Sequence, residues 1–152
     1  MTSTSPATIL QYEFELTIKA PTAKVWQALT EETNAWWLPD FHMVAAGSTV
    51  TLDARAGGPL VEQMENGCSL LCYTVTMCVP ESSLHLVGHM APQWGGPATT
   101  MLELALSECD AGTKFIVRDA IYGNAKEKVA SSLESGWRQL FGQGLGAHVE
   151  EN

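Results

Sequence analysis

The chain closes with AKEKVASSLESGWRQLFGQGLGAHVE, residues 125–150, and no other feature limits its fold as strongly. Val129, Leu133, Trp137, Leu140, Phe141 and Leu145 recur at spacings of three and four, which puts them on one stripe of a long helix. A stripe of that kind has to be buried against another element. Ser132, Gly136 and Gly144 interrupt it, although glycine costs about 1 kcal/mol against alanine inside a helix. Such a cost fits a close backbone approach, or space kept for something else.

What the helix packs against is legible upstream. TILQYEFELTIKA reads as a first strand, with Ile9, Tyr12, Phe14, Leu16 and Ile18 as its apolar or β-favouring residues. APTAKVWQALT reads as a helix: Pro21 suits its first turn, and Val25, Ala28 and Leu29 share a face. A shorter helical piece carries Trp36 and Trp37 and ends before Pro39. From there to about residue 122 the period changes to two. Val50, Leu52 and Ala54 fall together, as do Leu71, Tyr73, Val75, Met77 and Val79, then Leu84, Leu86 and Met90. Leu102, Leu104 and Leu106 make a further set, and Phe115, Val117, Asp119 and Ile121 the last. Gly57-Gly58-Pro59 and Asn66-Gly67 mark turns. The predicted fold is α+β: one strand, two short helices, then about six antiparallel strands curled around one long C-terminal helix. One helix gripped by a bent sheet leaves an internal cavity.

Composition narrows the functional classes. With 152 residues, 45% of them hydrophobic and 16% charged, the chain fits one domain over 1–152, with 1–7 as a flexible lead. A net charge of −9 with no Lys/Arg cluster argues against nucleic acid and anionic membrane surfaces as partners. The N-terminus has no signal-peptide pattern and no run of eighteen apolar residues occurs, so a cytoplasmic location and no membrane span are expected. Cys68, Cys72, Cys78 and Cys109 lack metal-ligand spacing and read as reduced packing residues. His85 and His89 read as outward, and no cofactor is implied.

The order of these elements, with APTAKVWQALT (20–30), the Trp36-Trp37 pair, Gly57-Gly58 followed by Glu62, GTKFIV (112–117) and SGWRQLFGQGL (135–145), resembles the START-like helix-grip proteins, also called the birch-allergen-like or SRPBCC superfamily. More narrowly it resembles the branch named for an activator of the heat-shock chaperone ATPase. The resemblance implies a helix-grip fold with a hydrophobic cavity. It implies no single activity, because relatives bind lipids, steroids and other ligands, cyclise polyketides or assist a chaperone.

Three readings follow. The first is a container for a small hydrophobic or aromatic molecule. The second is a cyclase or dehydratase with Asp119 or Glu62 as general base. The third is a module that regulates a chaperone ATPase, with a protein partner; a homodimer also stays open. The residues expected at a ligand are Trp37, Phe41, Glu62, Tyr73, Met77, Met90, Trp94, Asp119, Trp137 and Phe141. The loop APQWGGPA (91–98) puts Trp94 where a lid over the cavity would sit, beside the Trp36-Trp37 element. Of that pair, one is expected beneath the sheet and the other at the entrance; Trp36 is assigned inward and Trp37 outward, with the reverse open. Asp119 has interior parity, but a buried carboxylate is costly, and a strand ending near Ala120 would leave it in water. For Glu62 an ion pair with Arg55 is the favoured arrangement over a place beside Asp119.

Overall fold

The computed structural model describes residues 1–151. Strand β1 (Thr8–Ile18) leads into helix α1 (Thr22–Glu31), the single-turn α2 (Thr33–Trp36) and a short 3-10 turn, Pro39–Phe41. Six strands follow: β2 (Thr49–Leu52), β3 (Pro59–Gln63), β4 (Ser69–Val79), β5 (Ser83–Met90), β6 (Ala98–Cys109) and β7 (Gly112–Gly123). The chain ends in α3 (Glu127–Gln139), a π-helical segment (Leu140–Gly146) and α4 (Ala147–Glu151), continuous with one another. No helix among the described residues is long and apolar enough to cross a membrane.

The seven strands form one curved antiparallel sheet in the order β1-β7-β6-β5-β4-β3-β2. Sequence neighbours pair as hairpins from β2 onward, and β1 closes onto β7, so the first and last strands meet over eleven register pairs. The α+β helix-grip architecture expected from the sequence is therefore the one observed. Parity is clean in β6 and β7: Leu102, Leu104, Leu106, Phe115, Val117 and Ile121 are all buried. Burying each such side chain contributes about 1.5–3 kcal/mol.

Parity fails in β4. The pairing skips Cys72 against β3 and Thr76 against β5, two β-bulges that each add a residue to β4. Each bulge reverses which face the next residues take. Tyr73 and Val75, between them, stay buried, whereas Leu71, Met77 and Val79 are exposed. The sequence expectation that all five share one face is corrected accordingly, and Met77, 49% exposed, points away from the interior.

The two tryptophans separate as a result of the chain's turn between them. Trp36 is the last residue of α2 and is buried; its indole Nε1 donates to the Ala28 carbonyl at 2.8 Å, tying α2 back onto α1. Trp37 leaves the helix with extended backbone, and its Nε1 donates to the Phe41 carbonyl at 3.2 Å. Pro39 starts the 3-10 turn that returns the chain, so the two rings lie 5.6 Å apart yet serve different spaces.

Candidate functional site

The space between sheet and long helix has a packed end and an open end. At the packed end Phe115 and Phe141 meet at a centroid distance of 5.0 Å, with Trp36 6.1 Å from Phe141. Only about 20 Å³ is left free there, room for about one water. Gly144 explains the fit: a Cβ at that position would lie 2.5 Å from the Trp36 carbonyl oxygen, so the helix backbone touches α2 directly.

The open end holds a cavity of about 320 Å³, at the lower limit of typical small-ligand sites. Trp37, Phe41, Tyr73, Met90, Trp94 and Trp137 line it. From the helix, Ser132 and Gly136 also face it, and a Cβ on Gly136 would meet nothing closer than Phe41 Cε1 at 3.6 Å. The three small residues in the helical stripe thus do two different jobs. Gly144 permits contact; Ser132 and Gly136 keep space.

An aromatic chain joins the two ends. Trp137 stacks on Phe141 at 5.0 Å, and Tyr73 and Trp37 stand 5.9 Å and 6.4 Å from it. Phe141, expected at a ligand, is instead part of the sealed core, because the π-helical segment turns it toward Phe115. Trp94 remains 47% exposed at the mouth, on the loop between β5 and β6. That loop packs against α3, since a side chain at Gly95 would strike Val129. His89, on the outward face and hydrogen-bonded with Thr99 at 3.2 Å, reaches the rim.

Both expected carboxylates are buried, and neither lines the cavity. Asp119 is 4% exposed, which overturns the solvent-facing alternative: β7 continues to Gly123, so the strand does not end at Ala120. Thr100 Oγ1 donates to Asp119 Oδ1 at 2.6 Å, and the Tyr12 hydroxyl donates to Oδ2 at 2.8 Å. Burial raises the Asp119 pKa above the ordinary carboxylate value, and these bonds, with the Ala120 N–H, offset only part of that. Burial in turn pushes the Tyr12 and Tyr73 phenols far up, so both stay neutral.

Glu62 is 1% exposed and is held by a different set of donors. Met43 N donates to Oε2 at 3.0 Å, Val44 N to Oε1 at 2.9 Å, and the Ser48 hydroxyl to Oε1 as well. His42 Nδ1 is 2.8 Å from Ser48 Oγ and 3.6 Å from Glu62. Burial alone would raise the Glu62 pKa, but this set of donors outweighs it and holds the carboxyl below its usual value. The expected ion pair with Arg55 is absent, because Arg55 bonds Asp53, two residues away, at 2.8 Å on the surface. Glu62 instead fastens the segment from the 3-10 turn to β2, which carries Phe41 and Met43 to the cavity mouth. Sequence reasoning missed His42 and Ser48, whose roles arise from loop closure rather than from spacing.

Metal chemistry has no frame here: among the described residues no three His, Cys, Asp or Glu side chains gather to hold an ion, and the four cysteines are free. Cys72 borders the cavity, where burial, with the Glu62 charge, pushes its thiol up to about 11. It is thus a protonated, unreactive wall residue at neutral pH. A more open groove of about 520 Å³ crosses the outer face of β1, β7 and β6, but its one cation, Arg118, is already paired with Glu13 at 3.2 Å and Glu103 at 3.3 Å.

Comparison with known proteins places this arrangement. The family model described as "Activator of Hsp90 ATPase homolog 1-like protein" matches residues 19–150. Among solved structures, a protein from Rhizobium leguminosarum superposes with a TM-score of 0.73 at 19% identity, over 97% of this chain and 98% of that one. A protein from Mesorhizobium loti gives 0.71 at 18% identity, over 94% and 98%. The protein Ara h 8.0201 gives 0.70 at 14% identity, over 95% and 100%. At these identities the likeness establishes the fold. No curated protein matches the chain.

Proposed function

The chain belongs to the Activator of Hsp90 ATPase homolog 1-like family, within the START-like superfamily, and from that premise we propose that it binds one small hydrophobic or aromatic molecule between sheet and helix. One observation carries the reading: the helix gives up apolar bulk at Ser132 and Gly136, opposite Tyr73 and Trp37, and a cavity of about 320 Å³ stands there. A chain selected only for stability would fill that volume, because empty apolar space costs about 24 cal/mol per Å³ in lost packing. The lining is mostly apolar, and the rings of Trp37, Phe41, Tyr73 and Trp137 supply flat surfaces for an aromatic occupant. Trp94 and the Glu62-fastened segment form the entrance.

General-base chemistry on that occupant is not supported. Asp119 is separated from the cavity by Thr100, which donates to it, and Glu62 is consumed by the segment it fastens. The test is native mass spectrometry on freshly purified protein, repeated after denaturing extraction. A retained small molecule, released on denaturation and absent from the Gly136→Leu variant, is the expected result. Equal retention in wild type and the folded variant would place any bound molecule elsewhere and overturn the proposal.

A further inference from the structure

Two side chains line both the open cavity and the small void of the packed end: Trp37 and Trp137. Their rings meet edge to face, with centroids 6.4 Å apart and planes at 84°, a favoured aromatic geometry. On one side of the pair stand Tyr73, Met90 and Gly136. On the other stand Trp36, Leu84 and Leu102, which line the void alone. The pair is a partition, and it closes the cavity at its inner end. About 320 Å³ lies in front of it and about 20 Å³ behind.

The two halves of the partition are held differently. Trp137 belongs to α3, stacked on Phe141 at 5.0 Å with planes 12° apart and with Tyr73 5.9 Å away, so the core fixes it. Trp37 comes from the connection after α2 and is half-buried. Its indole N–H is bonded within that connection, to the Phe41 carbonyl. Removing Trp137 would break the aromatic core. Removing Trp37 would take away the partition, leave the Trp137–Phe141 stack in place and join the void to the cavity. We propose that Trp37 sets the depth of the site, so that the site takes compact apolar molecules and stops a long chain at the indole ring. This rests on the container reading above and names the residue that selects the occupant by size.

The experiment titrates 4-n-alkylphenols, from propyl to nonyl, calorimetrically into wild type and Trp37→Ala. In wild type the affinity is expected to rise about fourfold per added methylene while space lasts, and to level off before nonyl. In Trp37→Ala the rise should continue for about two methylenes more, so that the nonyl probe binds about tenfold tighter than to wild type. Trp94→Ala, which changes the mouth and not the partition, should level at the wild-type length. Should Trp37→Ala fail to fold, Trp37→Leu takes its place with a smaller extension. Wild type also reports directly through nuclear Overhauser contacts from the terminal methyl of the probe at the levelling length. These should reach Trp37 and Trp137, and none should reach Trp36, Leu84 or Leu102. An unchanged limit in a folded Trp37 variant, or no limit up to nonyl in wild type, overturns the assignment and leaves the container standing. A limit that moves in Trp94→Ala, or methyl contacts to Trp36, does the same. Binding of no alkylphenol of any length would sink the inference and the container together.

Discussion

One helix and one sheet make two unlike environments in this molecule. At the packed end Phe115, Phe141, Leu145 and Trp36 are buried and about 20 Å³ is free; at the open end about 320 Å³ is free and Trp94, Met43 and Leu71 stand exposed around it. The sheet supplies large side chains to both. The difference lies in what the helix presents: Phe141 and Leu145 below, Ser132 and Gly136 above. Close packing is thus available to this fold and is withheld in one place. The two buried carboxylates repeat the contrast, since Glu62 is held by backbone donors that favour its charged form while Asp119 has two hydroxyls and a raised pKa.

The contrast can be broken first at the packed end. Phe115→Ala should destabilise the protein by about 3–5 kcal/mol in urea unfolding, because the surrounding core cannot collapse into the vacancy. Next, Gly144→Ala should cost about 1–3 kcal/mol, since its methyl would fall 2.5 Å from the Trp36 carbonyl oxygen. Gly136→Ala, two turns earlier in the same helix, should go the other way and stabilise by up to about 1 kcal/mol, its methyl making an ordinary contact with Phe41. Opposite signs at two glycines of one helix would be hard to obtain from helix propensity alone. Trp94→Ala, at the mouth, should fall within about 0.5 kcal/mol of wild type.

The carboxylates sharpen the contrast by pH. A lowered native pKa at Glu62 means that its contribution is present above the unfolded value near 4.5 and lost as pH falls through the native one. The wild-type advantage over Glu62→Gln should therefore shrink on acidification. At Asp119 the native pKa is raised, so its contribution is complete below the unfolded value near 3.8 and lost as pH rises through the native one. The wild-type advantage over Asp119→Asn should accordingly grow on acidification. Thermal melts from pH 3 to 8 read both slopes, and slopes of the same sign would contradict the assignment.

Much of this fold was legible because β6 and β7 hold a strict period of two, and α3 a period near 3.6, so that Leu104, Phe115 and Leu133 declare their faces. β4 concealed its own, since bulges at Cys72 and Thr76 depend on how neighbouring strands pair and leave no local mark; Met77 was misplaced for that reason. Asp119 was readable as far as its parity, and its partners were not: Tyr12 lies directly across in register and Thr100 on the diagonal of the other neighbour. Glu62 reads from the sequence as a partner of Arg55 and not as a fastening, because its donors at Met43 and Val44 are backbone groups that any sequence possesses. Trp36 and Trp37 were readable as a divided pair; what assigns them is the Ala28 carbonyl waiting for the first.

The central claim, that the open end is kept empty for an apolar molecule, is tested most directly by amide chemical-shift mapping with naphthalene on wild type and on Gly136→Leu. The account predicts saturable shifts at Leu133, Gly136, Trp137, Tyr73 and Met90, silence at Phe115 and Leu145, and loss of the response when leucine occupies the space. Shifts that persist in the folded Gly136→Leu variant, or that cluster away from these residues, would contradict it.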